Sequence, residues 1–201
     1  MPDKSPKQIT RKQYASNSTL AFEEEQRGVI TNGLLAMFLS ALVLMMTSAV
    51  LPQAFKLPGD PVSGLILAAQ VNVVPALCLL VAIRMVSQMR FFSKADIQGA
   101  AYSQPSRLMA PRIAFLQNTV EQAALLAIAN FAVSTLGNKY VMGYMIGSAI
   151  LFVIGRVLFW VSYEGGARAR AFGMVMTMTP AIGALGLYVF AIGWRVVDAA
   201  V

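Results

Sequence analysis

Five apolar runs dominate this sequence, and each is long enough to cross a membrane as a helix. A helix needs roughly 20 predominantly apolar residues to span about 30 Å of hydrocarbon. The five runs are Val29 to Leu51, Val62 to Val86, Pro111 to Leu136, Val141 to Tyr163 and Phe172 to Val197. Because unpaired backbone groups are costly in lipid, runs of this length form helices. The sequence therefore predicts an all-α integral membrane protein with one bundle of transmembrane helices.

Little of the chain lies outside these runs. Of 201 residues, 57% are hydrophobic and only 12% are charged, which is unusual for a soluble domain. The remainder comprises a polar N-terminal tail (residues 1–28), short turns and one longer loop from Ser87 to Ala110. The first run exceeds the roughly 7–15 apolar residues of a signal peptide, so we interpret it as a retained helix. Any function must lie within or beside the bilayer.

The basic residues alternate between the two ends of the predicted helices. Thirteen of the 16 Lys and Arg residues fall in the tail, in the Arg84 to Arg112 region and in Arg156 to Arg170. By the positive-inside rule, this pattern places the N-terminus in the cytoplasm and the C-terminus outside. The net charge of +7 thus reflects membrane topology, and nucleic-acid binding is not predicted.

Two residue types are too scarce to support common site chemistries. Cys78 is the single cysteine, which excludes an internal disulfide and any multi-cysteine metal site. The chain contains no His, so imidazole catalysis is excluded as well. We predict no metal site.

Several small and cyclic residues inside the runs predict how the helices pack. Asn72 and Pro75 predict a kink in the second helix, because proline removes a backbone hydrogen bond. Gly143 and Gly147 have the spacing that permits close helix contact. Pro180, near two further glycines, predicts a kinked fifth helix.

Polar side chains interrupt the third and fourth runs at one depth. Asn118 and Glu121 are three residues apart and share a helix face, and Asn118 lies about 10 Å from the Pro111 end. Arg156 lies about 10 Å from Tyr163, at the cytoplasmic end of the fourth run. Because an unpaired charge in hydrocarbon is costly, we predict that Glu121 and Arg156 form an ion pair.

These residues predict a polar pocket that opens to the cytoplasm. Arg168 and Arg170 add positive charge where the chain turns back, so an anionic ligand would balance the pocket. A ligand-free alternative is that Glu121, Asn118 and Arg156 only lock the helices together.

Two segments resemble the MAPEG superfamily, the membrane-associated proteins in eicosanoid and glutathione metabolism. They are "NTVE" at Asn118 to Glu121 and "GRVLFWVSYEGGARARAFG" at Gly155 to Gly173. The resemblance covers the four-helix core from about Val62 to Val197, so the first helix (residues 29–51) is an addition. The chain is thus similar to a five-span, bacterial-type member, which implies a location in the bacterial inner membrane.

The resemblance implies a homotrimer with glutathione sites between subunits near the cytoplasmic face. Carried over by position, the residues that contact glutathione are Asn118, Glu121, Arg156, Tyr163 and Arg170. Arginines would hold the carboxylates of glutathione, Glu121 its ammonium group and Asn118 a polar backbone group. Arg170 would have the catalytic role of favouring the thiolate.

The chain differs from the usual family pattern at two positions, and three functions stay open. Ala114 stands where the family usually has Arg, and Phe159 where it has an aromatic hydroxyl. The first function is a glutathione-dependent transferase or peroxidase acting on lipophilic small molecules. The second is a non-catalytic scaffold or lipid-binding protein of the same fold, and the third is a small transporter or channel.

Overall fold

The chain folds into a bundle of long helices. The computed structural model describes residues 11–99 and 101–199, so residues 1–10 of the predicted tail lie outside the described residues. The helices are α1 (Arg11–Ala54), α2 (Pro61–Val71), α3 (Val73–Phe92), α4 (Ala110–Ser134), α5 (Lys139–Val161) and α6 (Gly166–Asp198). The described part of the chain contains no strand, and the all-α prediction is confirmed.

Within the described residues, four helical segments are long and apolar enough to cross a membrane, judged by length and composition. They are Leu20–Ala54, Pro61–Phe92, Lys139–Val161 and Tyr163–Asp198. The third predicted span forms a helix of 25 residues, α4, but it is not among these four. Its amide and carboxylate side chains reduce its average hydropathy, and it packs against α3 and α6 within the bundle.

The second predicted span is interrupted where the sequence predicts a kink. Helix α2 ends at Val71 and α3 begins at Val73, with Asn72 between them. The Asn130 side-chain amide on α4 donates to Asn72 Oδ1 at 2.8 Å, and Asn130 Oδ1 accepts a longer bond, 3.4 Å, from Ser148 on α5. This buried polar chain ties the break in the second span to the two following helices.

The additional helix, α1, lies along α5 and α6. The backbone of α5 approaches α1 closely, because a Cβ at Gly143 or Gly147 would meet Thr47. At the other end, Gly33 of α1 lies against Val175 of α6. The prediction that Gly143 and Gly147 permit close helix contact is therefore confirmed, and their neighbour is α1.

Several helix ends lie outside the predicted boundaries, and α6 begins at Gly166, six residues before the predicted Phe172. Helix α1 begins at Arg11, well inside the predicted tail, and its 44 residues extend about 66 Å. Helix α3 continues to Phe92, so the predicted loop from Ser87 loses its first six residues. In the loop that remains, the buried Asp96 accepts hydrogen bonds from the backbone N–H of Ser106 at 2.8 Å and from its hydroxyl at 2.7 Å.

Candidate functional site

A tight turn between α5 and α6 forms one wall of the candidate site. The chain passes through a short 3-10 turn, Tyr163–Gly165, and then Gly166, whose φ of 88° is a conformation that glycine adopts without strain. Helix α6 begins at that glycine and runs back into the bundle. The turn places the Arg170 guanidinium 5.1 Å from the centre of the Tyr163 ring, in cation–π geometry. The structure therefore brings Tyr163 and Arg170 together.

The buried guanidinium of Arg156 connects three helices. Arg156 is only 3% exposed. Its Nη1 donates to Asn118 Oδ1 on α4 at 2.7 Å, and its Nη2 donates to Thr177 Oγ1 on α6 at 2.6 Å. Its Nε is buried without a hydrogen-bond partner. Since both terminal nitrogens are bonded within the chain, Arg156 cross-links α4, α5 and α6.

The predicted ion pair between Glu121 and Arg156 is wrong for the single chain. Glu121 is exposed on the outer face of α4, where its carboxylate accepts a 3.2 Å hydrogen bond from Gln117. The side chain of Asn118 occupies the position beside Arg156 instead. Three residues along a helix correspond to about 300° of rotation, so Glu121 points about 60° away from the direction of Asn118.

Aromatic rings join the arginine cross-link to the turn. The Arg156 guanidinium lies 4.8 Å from the centre of the Phe159 ring, and that ring is 5.6 Å from the ring of Tyr163. Four of the five predicted site residues thus form one connected cluster, which we call the Arg156–Arg170 cluster; its members are Asn118, Arg156, Phe159, Tyr163, Arg170 and Thr177. Glu121 lies beside this cluster but faces away from it.

Thr177 belongs to the cluster although it was not among the site residues predicted from the sequence. Thr177 follows Arg170 by seven residues, a spacing that puts both on one face of α6. That spacing in an otherwise apolar stretch could have identified it. The Thr177 hydroxyl also donates to the backbone carbonyl of Met174 at 2.8 Å, so its oxygen is oriented to accept from Arg156.

Helix α1 also contacts the start of α6. Glu25 Oε1 accepts a 2.9 Å hydrogen bond from the backbone N–H of Arg168, a group that has no partner within α6 so near its start. The side chain of Asn32 donates to the backbone carbonyl of Arg168 at 2.8 Å. The additional helix therefore holds the first turns of α6 two residues from Arg170.

The larger apolar grooves lie away from this cluster. One groove of about 550 Å³ is bordered by α2, α3 and α5, and another of about 580 Å³ by α1, α5 and α6. None of the predicted site residues lines either groove. Among the residues that the structure describes, no three His, Cys, Asp or Glu side chains gather where they could hold a metal ion.

Together the fold and the cluster define an integral membrane protein, a helical bundle with a buried arginine cross-link near one end. The family model described as "MAPEG family" matches residues 63–190, so the chain belongs to the MAPEG family. The matched region covers most of α2 through most of α6 and leaves α1 outside. No curated protein and no solved structure matches the chain.

Proposed function

We propose that this MAPEG-family protein binds glutathione beside the Arg156–Arg170 cluster and uses it on lipophilic electrophiles or hydroperoxides. We further propose that each site is completed by a neighbouring copy in a homotrimer. The observation that carries both parts is the exposure of Glu121 on a helix inside the membrane bundle.

A carboxylate facing lipid at the depth of Glu121 is unfavourable by several kcal/mol. Glu121 lies ten residues after Pro111, about 15 Å along α4, and its hydrogen bond is to the neutral Gln117. A second copy that covers this face of α4 would remove the carboxylate from lipid. An arginine of that copy or a bound ammonium group would balance its charge.

The groups in and beside the cluster match the chemistry of glutathione. Glutathione carries two carboxylates, one ammonium group and a thiol. The partly buried Arg170 can pair with a carboxylate or a thiolate, and Glu121 can accept from the ammonium. Because Asn118 Oδ1 is bonded to Arg156, the amide N–H groups of Asn118 remain to donate to the ligand.

The reaction needs the thiolate of glutathione, which Arg170 would stabilise by its positive charge. In a transferase, the thiol proton passes to water, the sulfur bonds to an electrophilic carbon and the leaving group departs. In a peroxidase, the thiolate attacks the terminal oxygen of a lipid hydroperoxide and the O–O bond breaks, which gives a sulfenic acid and an alkoxide that takes a proton from water to become the alcohol. A second glutathione then converts the sulfenic acid to the disulfide and water.

A non-catalytic scaffold is the second candidate function, and the internal bonding of Arg156 favours it. Both terminal nitrogens of Arg156 are bonded within the chain, as expected for a structural cross-link. Ala114 and Phe159 also provide no polar group for a ligand. A scaffold would retain the bundle and the assembly without binding glutathione.

We propose that the protein lies in the bacterial inner membrane with its N-terminus in the cytoplasm. Two observations support this orientation. The basic residues alternate along the chain between the two ends of the helices, and the site residues lie at the end that carries most of these basic residues. Glutathione would then enter from the cytoplasm, and lipophilic substrates would enter from the bilayer.

Calorimetry on the detergent-purified protein tests the proposal. Wild type should bind glutathione, whereas Glu121→Gln and Arg170→Gln should each weaken binding about tenfold or more, because each removes one charged contact. The matched controls are Glu23→Gln and Arg84→Gln, which neutralise exposed charges outside the cluster and outside the turn between α5 and α6. No binding to wild type at millimolar glutathione would favour the scaffold.

A second measurement separates ligand binding from assembly. The mass of the detergent-solubilised protein should correspond to three copies, and Glu121→Gln should retain that mass if Glu121 serves the ligand alone. Dissociation of Glu121→Gln, with wild type not binding glutathione, would assign Glu121 to the subunit interface only.

A further inference from the structure

A polar cavity lies between α1 and α6, outside the Arg156–Arg170 cluster. Its volume is about 670 Å³. The residues that line it come from the part of α1 around the start of the apolar run and from the start of α6: Glu24, Arg27, Gly28, Thr31, Asn32 and Arg168. We call it the α1–α6 cavity. Because α1 lies outside the matched family region, the additional helix creates this cavity.

Close packing brings two guanidinium side chains to this cavity. A Cβ at Gly28 would lie 2.7 Å from Arg168 Cδ, so the stem of Arg168 rests against the bare backbone of α1, one residue from Arg27. The carboxylate of Glu25 lies beside them, and its Oε1 accepts from the backbone N–H of Arg168. Two guanidiniums and the carboxylate of Glu24 therefore line one open cavity.

The cavity lies at the level where a phospholipid headgroup would be. Gly28 immediately precedes Val29, the first residue of the apolar run. One face of α1 carries Arg27, Thr31 and Phe38, which are separated by four and seven residues. We call this face the stripe. Phe38 is 61% exposed, so the stripe passes from a guanidinium to an apolar surface suited to an acyl chain.

We propose that the α1–α6 cavity binds the headgroup of a membrane glycerophospholipid. The phosphate would lie between the guanidiniums of Arg27 and Arg168, with the Thr31 hydroxyl as a further donor. The acyl chains would extend along the exposed apolar stripe of α1. By the proposed topology this headgroup belongs to the cytoplasmic leaflet, where anionic lipids attract basic residues.

Glu24 favours headgroups that carry a hydrogen-bond donor. Its carboxylate lines the same cavity and can accept a hydrogen bond from an ammonium or a hydroxyl group. Phosphatidylethanolamine and phosphatidylglycerol both carry such donors. Phosphatidylcholine carries the same phosphate but no N–H or O–H on its headgroup, so we expect it to bind more weakly.

Native mass spectrometry on delipidated protein, with each of these three lipids added in turn, tests the proposal. Wild type should retain phosphatidylethanolamine and phosphatidylglycerol about tenfold or more better than the double variant Arg27→Gln/Arg168→Gln. The control, Arg84→Gln/Arg107→Gln, removes two exposed cations elsewhere on the cytoplasmic side and should match wild type. Glu24→Gln should weaken binding of phosphatidylethanolamine more than that of phosphatidylglycerol.

Three outcomes would overturn the proposal. The first is equal lipid retention by wild type and by the Arg27/Arg168 double variant. The second is wild-type binding of phosphatidylcholine as strong as that of phosphatidylethanolamine. The third is displacement of the lipid by equimolar glycerol 3-phosphate, which would identify a site for soluble phosphates. Because the variants change exposed side chains, each should have the same gel-filtration profile as wild type. The single variants Arg27→Gln and Arg168→Gln allow lipid retention to be compared with wild type if the double variant does not fold.

Discussion

The hydroxyl of Thr177 accepts a hydrogen bond from the buried Arg156 guanidinium, and its removal would leave that donor unpaired. Thr177→Val keeps the side-chain shape and removes the hydroxyl. We expect the free energy of unfolding to fall by about 1.5–3 kcal/mol, the range for hydrogen bonds to charged groups. Denaturation in mixed micelles measures this change.

Thr179→Val is the matched control for this prediction. Thr179 lies two residues further along α6, and its hydroxyl donates only to the backbone carbonyl of Val175, at 2.8 Å. Its loss should reduce the free energy of unfolding by less than about 1 kcal/mol. Equal losses in the two variants would show that the Arg156 contact adds nothing to stability.

Asp96 makes the stability of the loop between α3 and α4 depend on pH. Hydrogen bonds from the Ser106 backbone N–H and from the hydroxyls of Ser93 and Ser106 lower the pKa of Asp96 from its ordinary value of 3.8. A lowered folded pKa stabilises the loop at pH values above 3.8, and this contribution disappears as the pH falls through the folded pKa. We expect Ser106 to lose protection from hydrogen exchange in that acidic range.

Asp96→Ala should abolish this behaviour. The amide of Ser106 should exchange faster than in wild type at neutral pH, and acidification should cause no further opening after correction for intrinsic exchange rates. The same acid-induced opening in wild type and Asp96→Ala would assign the effect to another group.

The sequence placed Asn118 and Arg156 at matching depths, but it named Glu121 and not Asn118 as the partner of Arg156. Counting residues placed Asn118, Glu121 and Arg156 near one level, and the contact between Asn118 and Arg156 agrees with that depth. Sequence spacing alone could not decide which of Asn118 and Glu121 faces α5, because the two differ by only about 60° around α4. That choice depends on the rotation of the packed helix.

At the level of elements, the contact between α1 and α5 depends on glycine. Gly143→Val would push a side chain into the Thr47 carbonyl oxygen and the Ser48 Cα. We expect a loss of about 1–3 kcal/mol, as for overpacking of a well-packed contact, and a lower thermal midpoint in detergent.

Gly186→Val is the control for the glycine contact. It makes the same substitution inside a helix, but nothing lies within 4 Å of a Cβ at Gly186. Intrinsic helix propensity changes equally in both variants, so the difference between their midpoints reports the packing of α1. A Gly186→Val midpoint as low as that of Gly143→Val would contradict the proposed contact.

Apolar length predicted the helices well, because a run of that length in lipid has few alternatives. Asn72 and Pro75 indicated the break between α2 and α3, since proline removes a backbone donor. The extension of α1 to Arg11 could not be predicted from hydropathy, because its first residues are polar and their helical conformation continues a helix already formed in the membrane.

At the level of the whole molecule, the topology can be tested with single cysteines in a Cys78→Ser background. Gly59→Cys lies in the exposed turn before α2, and Gln104→Cys lies in the exposed loop before α4. An impermeant maleimide applied to intact spheroplasts should label Gly59→Cys, whereas Gln104→Cys should react only after permeabilisation. The opposite pattern would place the N-terminus outside.

The contact between Thr47 and Gly143 joins the first membrane helix to one synthesised about a hundred residues later. At about 5–20 residues per second, the ribosome needs roughly 5–20 s to produce that partner surface. During this interval α1 must remain in the bilayer without its neighbours. Its 23 residues from Val29 to Leu51 are all uncharged, so this part of α1 is stable in lipid without neighbouring helices. Helix α1 can therefore act as an anchor on which the family core later assembles.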